Sequence, residues 1–312
     1  MEQVTFDDGP AAVAAPRVPP RAFSAALFVA LRPQQWVKNL LVLAPLLFSR
    51  HLFDPSSLLE GLSAFGLFCL VSSSSYLFND FVDVEQDRLH PVKCRRPLAS
   101  GRLGARATIV TAIALCITGI AGGLALGRTI ALALCAYVVI SAAYSLFLKH
   151  HVILDVFAIA SGFVLRAWGG AEAIQVEMSS WLLVCTTLLA LFLGFSKRRY
   201  ELALLKERAM EHRRVLADYD PRFLDMMIAI VTASAVTCYA LYTVSEETVA
   251  RFHTKALLST LPFVLYGIFR YLYLVYHKDR GGDPIVTAFT DPATIINLLL
   301  WAGTVAFILY GQ

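Results

Sequence analysis

Charge is scarce in this chain: of 312 residues, 16% are Asp, Glu, Lys or Arg, against about 25% in a typical soluble domain. With 57% hydrophobic residues, water is the wrong solvent to assume. Long runs alternating apolar and polar residues at period two are also missing, which sets aside a transmembrane β-barrel. The apolar stretches are continuous instead, and only helices that close their own backbone hydrogen bonds cross lipid in such a pattern. Cysteines are few and scattered. Cys69, Cys116, Cys135, Cys185 and Cys238 fall inside apolar segments and Cys94 in a polar loop, without the close spacing of a zinc site, a redox motif or a disulfide framework. The formal net charge of +4 is too small to point to nucleic acid. The first 20 residues are rich in Ala and Pro and lack an apolar core, so they read as a disordered cytoplasmic tail and not as a cleaved signal. No short internal repeat is visible, which weighs against a solenoid.

What is present is an all-α, polytopic membrane bundle. Residues 21–31 read as a short amphipathic helix, with Pro33 separating it from the first hydrophobic segment. Nine spans are expected, near 35–49, 58–80, 106–124, 128–147, 152–170, 179–198, 224–243, 255–277 and 292–311, making 21–312 a single membrane-embedded domain. With the N-terminus cytoplasmic, Lys and Arg fall overwhelmingly in the loops of one side, as positive charge does on the cytoplasmic face. That side holds the Arg88 to Arg106 group, Lys149 and the Lys197 to Arg222 group, whereas the other holds Arg50, Arg128, Arg251 and Lys255. The expectation is N-terminus in, C-terminus out, and function in the two long inner loops, 81–105 and 199–223.

Three clusters on that inner side carry chemistry. The first is Asn79-Asp80-x-x-Asp83-x-x-x-Asp87, followed by His90-Pro91-x-Lys93-x-x-Arg96-Pro97. Helical spacing places Asp80, Asp83 and Asp87 on one face with Asn79 above Asp83. Stacked carboxylates ask for a counter-cation, and hard oxygens with substrate phosphates suit Mg²⁺. The same trio also fits a solvated helix end paired with Arg88, Lys93, Arg95 and Arg96. The second cluster is Tyr144-Ser145-x-x-x-Lys149-His150-His151-x-x-x-Asp155, either an interfacial anchor or part of the site. Asp155 and Arg166 lie about three turns apart inside an apolar segment, so both should face the bundle interior. The third, Lys197-Arg198-Arg199-x-Glu201, continues into Arg208, Arg213, Arg214 and Tyr219. Its cations suit lipid or sugar phosphate, or simply anionic headgroups. Near the N-terminus, the Arg32 to Asn39 stretch, with Lys38, either reaches the same cavity or anchors the first span.

The aspartate run Asn79 to Asp87 with His90 to Pro97, together with Tyr144 to Asp155, resembles the two signature regions of the UbiA prenyltransferase superfamily, and its nine-helix bundle matches the span count. Within that superfamily the segments RPQQWVKN, NDFVDVEQDRLHPVKCRRPLASG, YSLFLKHHVILD and GFSKRRYEL are similar to the decaprenyl-phosphate phosphoribosyltransferase branch. That resemblance implies an integral protein of a bacterial-type inner membrane that transfers a 5-phosphoribosyl group from phosphoribosyl diphosphate to a polyprenyl phosphate. It implies Mg²⁺ on Asp80, Asp83 and Asp87 aided by Asn79, phosphate binding by Lys93, Arg96, Lys149, Lys197 and Arg198, and Asp155 orienting a ribose hydroxyl or joining the metal site. A homo-oligomer also enters as an expectation. One departure stands out: aromatic prenyltransferases carry Asp-x-x-x-Asp in the second motif, whereas here Ile159 stands four residues after Asp155. Prenylation of an aromatic or quinone precursor, and lipid-phosphate transport without chemistry, are the alternatives.

Overall fold

The structure, a computed structural model, describes residues 20–204, 218–277 and 290–311. The expected N-terminal tail and the basic residues Arg208, Arg213 and Arg214 lie outside the described residues. Helix α1 (Pro20–Leu31) leads into a 3₁₀ segment (Pro33–Leu43) and the short α2 (Ala44–Phe48). The remaining helices are α3 (Pro55–Val82), α4 (Val84–Leu89), α5 (Ala105–Leu126), α6 (Arg128–Leu146), α7 (Leu154–Ala173) and α8 (Ser180–Leu204). They are followed by α9 (Pro221–Val244), α10 (Glu246–Phe252), α11 (Leu261–His277) and α12 (Pro292–Tyr310). Among the described residues eight helices are long and apolar enough to cross a membrane, and the chain is an integral membrane protein.

The first expected span is the exception, because it is not a regular α-helix. Eleven residues are 3₁₀ and five are α. At rises of about 2.0 and 1.5 Å per residue these sum to about 30 Å, the thickness of a hydrocarbon core. Sixteen residues wound in this way have about that length end to end, where an α-helix of sixteen would measure about 24 Å.

Local sequence explains where the spans begin. Helices α3, α9 and α12 each start with Asp-Pro: Asp54, Asp220 and Asp291 accept hydrogen bonds from the backbone N–H of Ser57, Phe223 and Thr294. The following proline occupies the first helical position, where its missing N–H costs nothing. Hydrogen bonds from Ser57 and Ser56 hold the Asp54 carboxyl down to about 2.

Helix α7 is the axis of the bundle. Its Val156 and Ala160 pack with α8, α9 and α11 around Phe192, Phe195, Leu224 and Tyr271. Farther along, Ala173 joins Val42, Phe68, Leu134 and Tyr137 of the first segment, α3 and α6. Small buried residues on α7, among them Gly162, Ala167, Gly169 and Gly170, let neighbouring backbones approach closely. At Gly170 the approach is tightest, since a Cβ there would lie 1.9 Å from the Val42 carbonyl oxygen. The stretched first segment is thus seated directly on the backbone of α7.

Candidate active site

The described residues of the polar clusters read from the sequence come to one end of the bundle, where α3, α6 and α8 finish and where the first segment and α7 start. The entry to the first segment is a left-handed turn at Arg32 (φ 54°), a conformation that costs a non-glycine residue about 1–2 kcal/mol. Its guanidinium is held there by Asp80 of α3 at 2.5 Å. Ile153, β-branched and also at positive φ (71°), ends the α6–α7 connection, and its N–H donates to the Tyr219 hydroxyl at 2.8 Å. Strain of this kind persists where surrounding contacts over-determine the backbone. Here those contacts point Asp155 inward at the start of α7.

The aspartate trio divides. Helix α3 stops at Val82 and α4 starts at Val84, with Asp83 at the break. A single helical face, as the spacing predicts, would need an unbroken helix from Asp80 to Asp87. Instead Asp80 and Asp87 are buried around one guanidinium: Arg96 donates to Asp80 at 3.0 Å and to Asp87 at 2.6 Å. Asp83 turns the other way, to the Lys149 ammonium, and accepts from the Asn79 amide at 3.1 Å. The expected Asn79–Asp83 neighbourhood is present. Asn79 in turn accepts from Ser145 of α6 at 3.1 Å.

A second network stands behind this one. Arg198, fully buried, donates to Asp155 at 2.5 Å, to Glu201 at 2.6 Å and to the Tyr144 hydroxyl at 3.3 Å. Tyr219 donates to the other Asp155 oxygen at 2.7 Å. Burial and the Asp155 carboxylate push the Tyr219 phenol up, so it stays protonated and serves as donor. Every oxygen of Asp155 is engaged with a protein partner. The roles the resemblance implies for Asp155, orienting a ribose hydroxyl or binding metal, and for Arg198, gripping a phosphate, do not match this placement: both side chains face each other inside the wall.

In front of these networks lies a cavity of about 500 Å³. Its wall includes Lys38, Asn79, Asp83, Lys93, Arg96, Tyr144, Arg166, Lys197 and Glu201 among the expected residues. Asp80, Asp87, Lys149 and Arg198 are not part of that wall but hold residues that are, and Asp155, also outside it, holds Arg198. The wall also carries Arg32, Gln35, His90, Tyr137 and Ser141, of which Tyr137 and Ser141 escaped the sequence reading. Their signal was there: Tyr137, Ser141 and Tyr144 follow i, i+4, i+7 on an otherwise apolar helix, one polar file facing one side. In all, six cations (Arg32, Lys38, Lys93, Arg96, Arg166, Lys197) face the cavity against two carboxylates, Asp83 and Glu201.

Among the described residues no three His, Cys, Asp or Glu side chains converge as a metal cluster. The donor chemistry on the wall still suits Mg²⁺. Asn79 and Asp83 are adjacent hard-oxygen groups, and Mg²⁺ is commonly held by one or two carboxylates with substrate phosphates completing its shell.

Residues 40–291 match the UbiA prenyltransferase family. The chain belongs to that family. Similar members include the decaprenyl-phosphate phosphoribosyltransferase of Mycolicibacterium smegmatis, 32% identical over 94% of this chain and 95% of the relative. Its namesake from Corynebacterium glutamicum is 33% identical over 94% and 90%. The bundle is also shared with a UbiA homolog from Archaeoglobus fulgidus bound to GPP and Mg²⁺, with a TM-score of 0.68 at 18% identity, covering 91% of this chain and 99% of that one. The family's fold, an all-α membrane bundle, is the fold described above.

Proposed function

We propose that this protein transfers a 5-phosphoribosyl group from phosphoribosyl diphosphate to a polyprenyl phosphate of decaprenyl type, releasing diphosphate, on the cytoplasmic face of the membrane. One observation carries the reading beyond the relatives' names: the excess of cations on the cavity wall. A phosphate monoester brings about −1.5 to −2 charges at neutral pH, and this reaction gathers a lipid phosphate, a ribose phosphate and a diphosphate together. Six cations against two carboxylates suit that load better than one prenyl diphosphate and a largely neutral acceptor.

The chemistry asks little of a proton-transfer residue. The lipid phosphate is already an anionic nucleophile; one of its oxygens bonds to ribose C1 as the bond from C1 to the diphosphate oxygen breaks, and the electron pair leaves with the diphosphate. Orientation, charge neutralisation and exclusion of water are the tasks left to the protein. Arg32, Lys93 and Arg96 meet the diphosphate at the loop end of the cavity, and Arg96 is fixed for this by Asp80 and Asp87. Lys149 keeps Asp83 in place beside Asn79. These two would hold Mg²⁺, which when bound with the diphosphate supplies neutralisation of its developing charge. Arg198, set by Asp155 and Tyr219, positions Tyr144 and Glu201. Positive charge concentrated at this end supports a cytoplasmic orientation with the C-terminus outside, and the continuous bundle supports a single membrane domain.

The test is purified protein in detergent with radiolabelled phosphoribosyl diphosphate, a polyprenyl phosphate and Mg²⁺. The expected result is a lipid-linked phosphoribose that a chelator abolishes. Prenylation of an aromatic acid, with no labelled lipid, would select the aromatic prenyltransferase reading, and binding of lipid without turnover would select transport.

A further inference from the structure

Arg166 is the unusual charge in this molecule. It is only 4% exposed and stands twelve residues beyond Leu154, about 18 Å along α7 and so deep in the bundle. Each of its contacts is neutral. Nε donates to the Asn39 side-chain oxygen at 2.6 Å, Nη1 to the Gly162 carbonyl at 2.8 Å and Nη2 to the Tyr137 hydroxyl at 2.9 Å. Its guanidinium also lies over the Tyr137 ring, 4.8 Å from the centroid. Asn39 is in turn fixed by donating to Ser72 at 3.1 Å. No carboxylate among the described residues pairs with Arg166. The other deeply buried cations among those residues do have acids: Lys149 has Asp83, and Arg198 has Asp155 and Glu201.

A buried cation without a counter-charge is costly, and inside a membrane such a residue marks a functional site. Arg166 faces the cavity, so an anion entering there can supply the missing charge. Lys38, next to Asn39 in sequence, and Lys197, which has Glu201 at 3.9 Å, line the same cavity as Arg166. The depth is informative. A prenyl diphosphate with its diphosphate near Asn79 and Asp83 has no second anion to meet this guanidinium. A substrate with a second phosphate beyond the reacting carbon supplies one.

We infer that Arg166, carried by Asn39 and Tyr137 and assisted by Lys38 and Lys197, forms a deep subsite for a phosphate monoester, separate from the diphosphate end of the cavity. This rests on the phosphoribosyl-transfer reading and adds the specificity element that a prenyl diphosphate donor would not need. Two groups have the required chemistry: the 5-phosphate of the donor and the phosphate of the lipid acceptor.

Steady-state kinetics of wild type, Arg166→Lys and Arg166→Met, with phosphoribosyl diphosphate and with ribosyl diphosphate lacking the 5-phosphate, tests it. Wild type that makes no lipid-linked phosphoribose defeats the function proposed above, a result distinct from failure of the subsite. With wild type active, a subsite for the 5-phosphate predicts about 30- to 100-fold preference for the phosphorylated donor, the scale of lost charged hydrogen bonds, and loss of most of that preference in Arg166→Met. If the lipid phosphate is the occupant, the donor preference survives substitution and KM for polyprenyl phosphate rises by a similar factor. Folded variants with both quantities within threefold of wild type overturn the subsite. Should both variants fail to fold, wild type decides: ribose 5-phosphate or inorganic phosphate that competes with either substrate supports the subsite, and no inhibition at high concentration by either overturns it.

Discussion

The two ends of the bundle are built from different interactions. At the site end, ion pairs tie α3 to the loops beside it, the α3–α4 break to the α6–α7 connection, and α7 to α8: Arg32 and Arg96 with Asp80, Lys149 with Asp83, Arg198 with Asp155. At the far end the closure is almost neutral. Phe252, Leu257, Val305, Ile308 and Leu309 pack with Phe48 and Trp301. Tyr310 of α12 donates to the Leu46 and Leu47 carbonyls at 3.1 and 3.2 Å and accepts from Leu52 N–H, tying α12 to α2. Apolar packing carries stability without charge to desolvate, whereas buried ion pairs contribute little net stability but fix geometry. The far end closes mainly on apolar contacts, whereas the site end adds to its apolar packing a set of ion pairs that fix position.

That division can be broken at several points. Asp155→Ala should have the largest effect, because it leaves Arg198 buried with only Glu201 as acid partner; stability is expected to fall by about 3–5 kcal/mol, read as a lower melting temperature in detergent. Asp83→Asn should cost transfer activity at least about a hundredfold, or about 2.7 kcal/mol of transition-state stabilisation. Its melting temperature should fall less than that of Asp155→Ala, and an active Asp83→Asn enzyme would detach this carboxylate from the chemistry. Tyr310→Phe should cost about 1 kcal/mol of stability with unchanged kcat/KM, separating the far end from catalysis. The smallest effect belongs to Arg88→Ala, which removes an exposed pair with Glu85 at 2.8 Å; stability should move by no more than about 0.5 kcal/mol, and activity should stay at the wild-type level.

Much of this was legible in the sequence, and the failures have physical causes. The spans are readable because lipid admits one solution for a continuous apolar run. Asp155 and Arg166 both lie in the interior, as polar residues in an apolar helix should. The aspartates were misread as one face because helical arithmetic assumes an unbroken helix, and nothing in Phe81-Val82-Asp83-Val84 announces the break. Asp155 reads as a site residue in sequence but is saturated by Arg198 and Tyr219, a partner 64 positions away whose approach depends on a strained turn at Ile153. The 3₁₀ character of the first segment was equally hidden, and so was its close docking onto Gly170, a contact 128 positions away in sequence from Val42.

The same 3₁₀ winding shapes what an entering anion meets. Three residues per turn stack every third side chain in one vertical file, with rungs about 6 Å apart. Arg32 at the cap, Gln35 and Lys38 all line the cavity on this spacing, so one strand of backbone presents a ladder descending from the loop end toward Asn39. In an α-helix each step of three would swing round by about 60°, and Lys38 would point about 120° away from Arg32. The tighter winding that lengthens this short segment also lines up its polar groups along the cavity wall.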